Sequence, residues 1–111
     1  MTDLTTIRCV GCEGGIPAMS SEEVKKLMPQ FAEWQLSDDG KSITRKLSFK
    51  DFYHTMAFVN AVAWIANQEN HHPDLEVGYN YCHIKFLTHA VKGLTQNDFI
   101  CAAKIDKIEK I

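Results

Sequence analysis

The sequence lacks several features that mark specialised classes of protein. No apolar run approaches the roughly 20 residues that a membrane-spanning helix needs, and no block of basic residues would attract a nucleic-acid backbone. The first residues contain neither a basic nor an apolar segment, so no secretory signal is predicted. We therefore expect a cytoplasmic protein that binds neither membranes nor nucleic acid directly.

The cysteines also lack the pattern of a disulfide-rich secreted domain, and free thiols are the better interpretation. They are Cys9, Cys12, Cys82 and Cys101. Residues 1–18 contain the Cys-x-x-Cys pair and no apolar periodicity, so we expect a flexible N-terminal arm followed by one domain over residues 19–111. The chain of 111 residues, with 45% hydrophobic residues and a formal net charge of -2, has the size and composition of one soluble domain.

The pattern after the arm predicts a helix and then a β-hairpin. Ser20 or Ser21 is expected to cap the helix, and Pro29 predicts an early or irregular end. The turn signal Asp38-Asp39-Gly40 and the alternation of apolar residues over 43–49 indicate the hairpin.

The strongest helical pattern covers residues 51–68, which contain neither glycine nor proline. The helix must stop before Pro73, because the proline ring disfavours a helical residue in front of it. Its apolar stripe consists of Phe52, Met56, Val59, Ala63 and Ala66, with Phe58, Val62 and Ile65 beside it. This arc is wider than one sheet face requires, so part of it is expected to pack against another subunit.

A second hairpin and a last helix complete the predicted fold. Leu75, Val77 and Tyr79 alternate, Asn80 can turn, and alternation resumes over residues 82–88. A capping box, Thr95 with Asp98 three residues later, begins the last helix. The order α-β-β-α-β-β-α predicts an α+β domain, with a four-stranded antiparallel sheet and helices packed on one face.

Histidine is the unusually placed residue type, since four of the five histidines fall between residues 71 and 89. Imidazole has an unperturbed pKa of about 6.5 and can both give and take protons near neutral pH. Several imidazoles around one cavity would suit proton transfer to a polar substrate. For any single histidine, a surface or structural role is the simpler alternative, and it is preferred for His54 and His83.

Metal binding is a rival interpretation of the histidines and cysteines, but their spacing is poor. His71 and His72 are adjacent, and neither a His-Glu-x-x-His motif nor a second Cys-x-x-Cys occurs. The pair of Cys9 and Cys12 could form half of a metal site or a redox pair, although glycines follow it where a redox motif would open a helix. We predict no metal.

The sequence around these histidines resembles that of the pterin-4a-carbinolamine dehydratases. The family signature is His-His-Pro, five residues, an aromatic residue, nine residues, His, eight residues and Asp. It is met by His71-His72-Pro73, Tyr79, His89 and Asp98, and the resemblance covers about residues 20–108. One position departs from the family, which often has an acidic residue four positions before the first histidine. This chain has Asn67 there, and Glu69 is displaced by two residues.

The resemblance implies dehydration of 4a-hydroxytetrahydropterin to quinonoid dihydropterin, without metal or organic cofactor. It implies that His71 and His89 are general acids and that His72 binds substrate with a possible base function. Trp34 would flank the pterin ring, although core packing is an equal alternative for this residue. Thr88 and Asp98 would support substrate binding or orient a histidine.

The resemblance also implies partners and leaves two further functions open. We expect a homodimer or homotetramer and a functional link to an aromatic amino acid hydroxylase such as phenylalanine hydroxylase, in tetrahydrobiopterin recycling. A protein-binding role is the first alternative, because animal members act as dimerisation cofactors of a transcription factor. Action on a related, molybdopterin-linked pterin is the second.

Overall fold

Three helices and four strands follow one another in the predicted order in the computed structural model, which describes residues 3–9 and 17–108. They are α1 (Ser21–Leu27), β1 (Gln35–Leu36), β2 (Ile43–Ser48), α2 (Phe52–Glu69), β3 (Asp74–Val77), β4 (Tyr81–Phe86) and α3 (Gln96–Asp106). The predicted α+β class is confirmed. Within the described ranges, none of the helices has the length and apolar character to span a membrane.

The four strands form one antiparallel sheet in the order β1-β2-β4-β3. The two predicted hairpins meet through the central pair, in which Ile43 lies opposite Phe86 and Ser48 lies opposite Tyr81. Successive side chains of a strand point to opposite faces. One face therefore presents the buried side chains of β4 to α2 and α3, and the outer face presents Tyr81, His83 and Lys85.

Local signals in the sequence set the ends of several elements. The Ser20 hydroxyl accepts a hydrogen bond from the Glu23 N–H at 3.2 Å, and the Glu23 carboxylate accepts one from the Ser20 N–H at 2.9 Å. This reciprocal pair is a capping box. α1 ends at Leu27 and passes into a short 3₁₀ turn that contains Pro29, as predicted. Gly40 has a φ of 72° in the β1–β2 turn, a conformation that glycine adopts without strain.

Part of the apolar arc predicted on α2 is buried in this chain, and part of it is not. The buried residues of α2 are Thr55, Phe58, Val62, Ala66 and Glu69. By contrast, Phe52 is 52% exposed. Polar contacts help to set the rotation of the helix, because the Thr55 hydroxyl lies 2.9 Å from the carbonyl of Tyr79 in the β3–β4 turn. Tyr79 itself, predicted to be in a strand, lies in this turn and is exposed.

Part of the predicted arm packs against the domain. Leu4 is 4% exposed and belongs to the hydrophobic core, in a short turn (Leu4–Thr6) that contacts α3. Residues 10–16, which include Cys12, lie outside the described residues.

Candidate active site

α2 ends in a left-handed turn that directs His71 back into the protein. Asn70 has a φ of 52°, a conformation that asparagine tolerates better than most residues. The His71 N–H donates to the Ala66 carbonyl at 3.1 Å, which closes the end of the helix before Pro73. The His71 residue is 7% exposed as a result.

Asp98 is the buried partner of His71. Its Oδ1 lies 2.6 Å from His71 Nε2, and its residue is fully buried. Its Oδ2 accepts hydrogen bonds from the Thr88 hydroxyl at 2.8 Å and from the Thr95 N–H at 2.9 Å. The hydroxyls of Thr88 and Thr95 are themselves 2.8 Å apart. Burial of a carboxylate is unfavourable unless it is hydrogen-bonded, and here three donors offset that penalty. Asp98 therefore both caps α3 and orients an imidazole.

The contact with Asp98 leaves one nitrogen of His71 for other chemistry. Within residues 3–9 and 17–108, Nδ1 of His71 has no hydrogen-bond partner. A carboxylate on one nitrogen fixes the orientation of the ring and stabilises positive charge on it. An imidazole held in this way can exchange a proton at the other nitrogen.

His72 and His89 lie beside His71 around one cleft of about 280 Å³. Both are exposed, unlike His71. His89 lies on a tight loop that is closed by a hydrogen bond of 2.8 Å from the Thr88 N–H to the Gly93 carbonyl. The lining of this histidine cleft consists of Asn70, His71, His72, Pro73, Asp74, Leu87, Thr88, His89 and Ala90. The structure thus brings the three histidines of the predicted site and Thr88 together.

Size alone does not single out this cleft. Two others, of about 270 and 370 Å³, lie near Met19 and α1. Among the described residues that line these two cavities, none is a histidine or a cysteine. The convergence of titratable side chains, rather than volume, identifies the histidine cleft as the candidate active site.

Trp34 is not among the residues that line the histidine cleft. It is 4% exposed, and its indole N–H donates to Asp106 at 2.9 Å. Burial raises the pKa of Asp106, although the bond from Trp34 and the ion pair with Arg45 at 2.7 Å oppose that rise. The ring of Phe86 links Trp34 to the site, since it lies 5.9 Å from the Trp34 ring and stacks on His71 at 5.8 Å, centroid to centroid.

The remaining two histidines lie away from the cleft. His83 is on the outer face of the sheet, where its Nδ1 lies 3.7 Å from the Glu76 carboxylate. His54 is in the first turn of α2, and its Nδ1 lies 2.6 Å from Asp51, the residue that caps the helix. Both positions agree with the simpler roles predicted for them.

Glu69 serves the arm rather than the histidines. Its carboxylate accepts from the Cys9 N–H at 2.8 Å, and it pairs with Lys104 at 2.8 Å and Arg8 at 3.0 Å. Burial raises the pKa of Glu69, but these bonds and charges outweigh that effect and lower the pKa to about 2. Glu69 therefore joins the arm, α2 and α3.

The thiols form a pair that the sequence pattern did not predict. Cys9 Sγ lies 3.7 Å from Cys101 Sγ, a residue 92 positions away in the chain. Burial and the neighbouring Cys9 raise the pKa of the Cys101 thiol, with the hydrogen bond to Cys9 as the largest cause. In the part of the chain that the structure describes, no group of three or more His, Cys, Asp or Glu side chains is arranged to hold a metal. The predicted pairing of Cys9 with Cys12 lies partly outside those residues.

Sequence reasoning missed two supports of the site. Thr95 was identified as a cap, but not as a donor to the carboxylate that holds the histidine. Phe86 was not singled out, although strict alternation along β4 places it on the buried face with Ile84. Its stacking on His71 depends on the path of the chain after α2, which periodicity does not describe.

Comparisons with known proteins agree with the geometry. The family model for pterin 4 alpha carbinolamine dehydratase matches residues 17–108. A Legionella pneumophila (strain Lens) protein named as a candidate pterin-4-alpha-carbinolamine dehydratase is 62% identical over 108 residues, which cover 96% of each chain. A similarly named Nitrosomonas europaea protein is 52% identical over 109 residues, 97% of this chain and 95% of that one.

A solved structure of a family member has a similar fold. The crystal structure of a transcriptional coactivator/pterin dehydratase from Brucella melitensis superposes with a TM-score of 0.76 at 29% identity, over 80% of this chain and 95% of that one. The match at the level of the family spans the histidines, Thr88 and Asp98. The chain belongs to the pterin 4 alpha carbinolamine dehydratase family.

Proposed function

We propose that the protein removes water from a 4a-hydroxytetrahydropterin to give a quinonoid dihydropterin, with His71, His72 and His89 as its acid and base groups. The observation that carries the proposal is the histidine cleft, in which three imidazoles converge and one is held by a buried carboxylate at 2.6 Å. Membership of the family supports the substrate class.

The reaction needs an acid and a base, which the histidine cleft offers. The C4a–O bond breaks only if the leaving hydroxyl receives a proton, so that water departs. N5 loses its proton, and the electrons of the N5–H bond form the N5=C4a double bond. Proton transfer by positioned side chains typically contributes about 10²- to 10⁴-fold in rate. The two proton transfers balance, so the enzyme returns to its starting protonation state after one exchange with water.

His71 is the acid that the geometry favours. In its protonated form, Nε2–H donates to Asp98 and Nδ1–H is left for the substrate hydroxyl. His89, fixed on its closed loop, is the second candidate acid, and His72, at the rigid exit of α2, binds the ring and can accept the N5 proton. These roles rest on position and on the family resemblance together.

The supporting roles differ in how directly the residues reach the substrate. Thr88 lines the histidine cleft and also donates to Asp98, so it both shapes the site and holds the carboxylate. For Trp34 we propose an indirect role, because its side chain is buried and supports Phe86, whose ring stacks on His71. Phe86 therefore packs directly against His71, and Trp34 packs against Phe86.

The test is the rate of dehydration of a 4a-hydroxytetrahydropterin by wild type and by His71→Ala, His72→Ala and His89→Ala. We expect kcat/KM to fall at least tenfold in each variant. His83→Ala is the matched control, because it removes a half-buried imidazole from the outer face of the sheet. Wild-type rates in all three cleft variants would refute the proposed chemistry.

We further propose that this reaction serves an aromatic amino acid hydroxylase, such as phenylalanine hydroxylase. The substrate is a hydroxylated pterin of the kind that an oxygen-using reaction on tetrahydropterin produces, and the product needs a reductase before it is used again. In a reconstituted mixture of hydroxylase and reductase, adding the protein should raise steady-state turnover and lower the level of 4a-hydroxypterin. An unchanged level would separate the protein from that pathway.

The exposed face of α2 supports a second role, in the assembly of the protein. Tyr53 and Trp64 lie eleven residues apart, on one side of the helix, and are 75% and 65% exposed. Exposed aromatic surface of this kind marks interaction sites, and one structural relative carries the description of a transcriptional coactivator. We propose that this face mediates assembly into a dimer or tetramer. Light scattering of Trp64→Ser should give a smaller particle than wild type, and an unchanged mass would exclude this face.

A further inference from the structure

Another cavity, of about 210 Å³, adjoins the histidine cleft. It shares Leu87 and His89 with that cleft, and three lysines surround its opening. They are Lys41, Lys85 and Lys92. We call this cavity the lysine pocket. A molecule bound beside His89 in the histidine cleft would therefore reach the lysine pocket over Leu87.

The three lysines come from separate parts of the fold. Lys41 follows the β1–β2 turn, and Lys85 is on the outer face of β4 opposite Thr44. Lys92 is on the closed loop that also carries His89, and its φ of 52° is uncommon for a residue with a side chain. Its N–H donates to the His89 carbonyl at 3.3 Å. The loop thus fixes Lys92 relative to a predicted catalytic histidine.

The lysine pocket carries a positive charge that nearby carboxylates do not cancel. Asp39 also lines it, so the lysines and the aspartate among the described lining residues sum to a charge of +2, from three lysines and one aspartate. Asp74 lies opposite Lys85 on β3 and offsets part of that charge, which leaves Lys41 and Lys92 with most of the attraction. No carboxylate of residues 3–9 and 17–108 lies within 4.0 Å of the three ammonium groups.

The Asp39 carboxylate is already committed to the turn. It accepts from the Ser37 hydroxyl at 2.6 Å and from the Lys41 N–H at 3.0 Å. These two bonds and the charge of Lys41 lower the pKa of Asp39. Both bonds end on Oδ1, so Asp39 offsets part of the positive charge of the lysine pocket without forming an ion pair within 4.0 Å of a lysine ammonium group.

We infer that the lysine pocket binds a phosphate monoester on the side chain of the pterin whose ring occupies the histidine cleft. Lysine binds phosphate as a point charge, and several lysines around an opening attract an anion before contact. The inference rests on the proposed function, because it extends the same substrate from His89 toward Lys92. It predicts that a phosphate group on the side chain strengthens the binding of a pterin in this site.

The test is a fluorescence titration with two stable oxidised pterins, 6-hydroxymethylpterin and its phosphate monoester. For wild type at low ionic strength we expect the ester to bind about tenfold more tightly, which corresponds to about 1.4 kcal/mol. The ratio of the two Kd values is the readout, because it cancels any general loss of pterin binding. The ratio should approach one at 1 M salt, where the screening length is about 3 Å.

Two triple variants separate a local site from the charge of the whole protein. One carries Lys41→Gln, Lys85→Gln and Lys92→Gln, and the control carries the same change at Lys25, Lys26 and Lys50, which do not line either cavity. We expect the first variant to lose the preference for the ester and the control to keep it. An equal loss in both variants would overturn the inference in favour of a general field effect.

The outcomes also distinguish this inference from the proposed function. Equal binding of both pterins by wild type refutes the phosphate site and leaves the dehydratase proposal in place. Binding of neither compound contradicts the pterin site itself. Inorganic phosphate should compete with the ester but not with 6-hydroxymethylpterin, and failure to compete with the ester would refute a phosphate site in the lysine pocket.

Discussion

Asp98→Asn is the substitution that isolates the charge of the buried carboxylate from its shape. The amide oxygen can still accept from the Thr88 hydroxyl and the Thr95 N–H, which lie 2.8 and 2.9 Å from Oδ2. The amide nitrogen then replaces Oδ1 and faces His71 Nε2 at 2.6 Å as a donor. Nε2 can accept this bond only when it carries no proton. The imidazole ring of His71 therefore cannot be protonated at both nitrogens and still keep its bond to residue 98.

The size of the effect follows from the contact that is lost. A hydrogen bond to a charged group contributes about 1.5–3 kcal/mol, and each 1.36 kcal/mol in a barrier is a factor of ten in rate. We therefore expect kcat to fall by about 10- to 150-fold. The value of KM should change little, because the buried carboxylate touches His71 rather than the solvent side of the histidine cleft.

The assay is single-turnover dehydration of a 4a-hydroxytetrahydropterin, which reports the chemical step. Asp51→Asn is the matched control, because Asp51 forms the same kind of pair with His54, also at 2.6 Å, away from the cleft. Asparagine also caps helices well, so the control should fold and keep wild-type rates. The double variant His71→Ala/Asp98→Asn should be no slower than His71→Ala, because the carboxylate acts through that ring.

Two results would refute this reasoning. A folded Asp98→Asn protein with kcat within twofold of wild type would show that the charge has no part in the reaction. Fully additive losses in the double variant would show that Asp98 acts independently of His71. Urea unfolding of each variant establishes whether a loss of rate is merely a loss of folded protein.

Three further substitutions test other contacts. Glu69 has a pKa lowered from 4.5 to about 2, so its stabilisation is present above pH 4.5 and is lost as the pH falls through 2. In urea unfolding, wild type should be more stable than Glu69→Gln by about 2 kcal/mol at pH 7, a value that allows for solvent screening, and by less at pH 3. The same difference in stability at both pH values would contradict this. Thr88→Val removes a donor from the buried carboxylate and should lower the free energy of unfolding by about 1–3 kcal/mol, unlike Thr44→Val. Phe86→Leu and Phe58→Leu should each lower the free energy of unfolding by about 1–2 kcal/mol. Only Phe86→Leu removes the ring that stacks on His71, so only this variant should also have a lower kcat. Equal kcat values in the two variants would exclude a role for the Phe86 ring in the reaction.

The order of elements could be predicted because its signals are local. The capping box at Ser20 and the turn at Gly40 each depend on residues within a few positions of one another. The alternation along β4 likewise predicts which side chains face the helices. These signals do not depend on how distant parts of the chain meet, so a single sequence contains them.

The rotation of α2 could not be predicted in the same way. The helix has apolar residues on more than one side, so hydrophobic periodicity is compatible with several buried faces. Long-range contacts settle the question, including Phe58 against Phe49 at 5.2 Å and Thr55 against the β3–β4 turn. Pairing of Cys9 with Cys101 is a contact of the same kind, since 92 residues separate them.

The departure at Asn67 shows how the fold changes the meaning of a sequence difference. Two residues along a helix correspond to a rotation of about 200°, so Glu69 cannot occupy the place of a carboxylate at position 67. Asn67 is exposed on α2, whereas Glu69 is buried against Lys104 and the arm. Among the described residues, Asp98 is therefore the carboxylate within 4.0 Å of His71. If an acidic residue at position 67 normally shares the stabilisation of the protonated site, Asn67→Glu should lessen the loss of rate caused by Asp98→Asn. If Asp98 acts alone, the two changes should combine without any such rescue, and single-turnover rates of the double variant would decide between these arrangements.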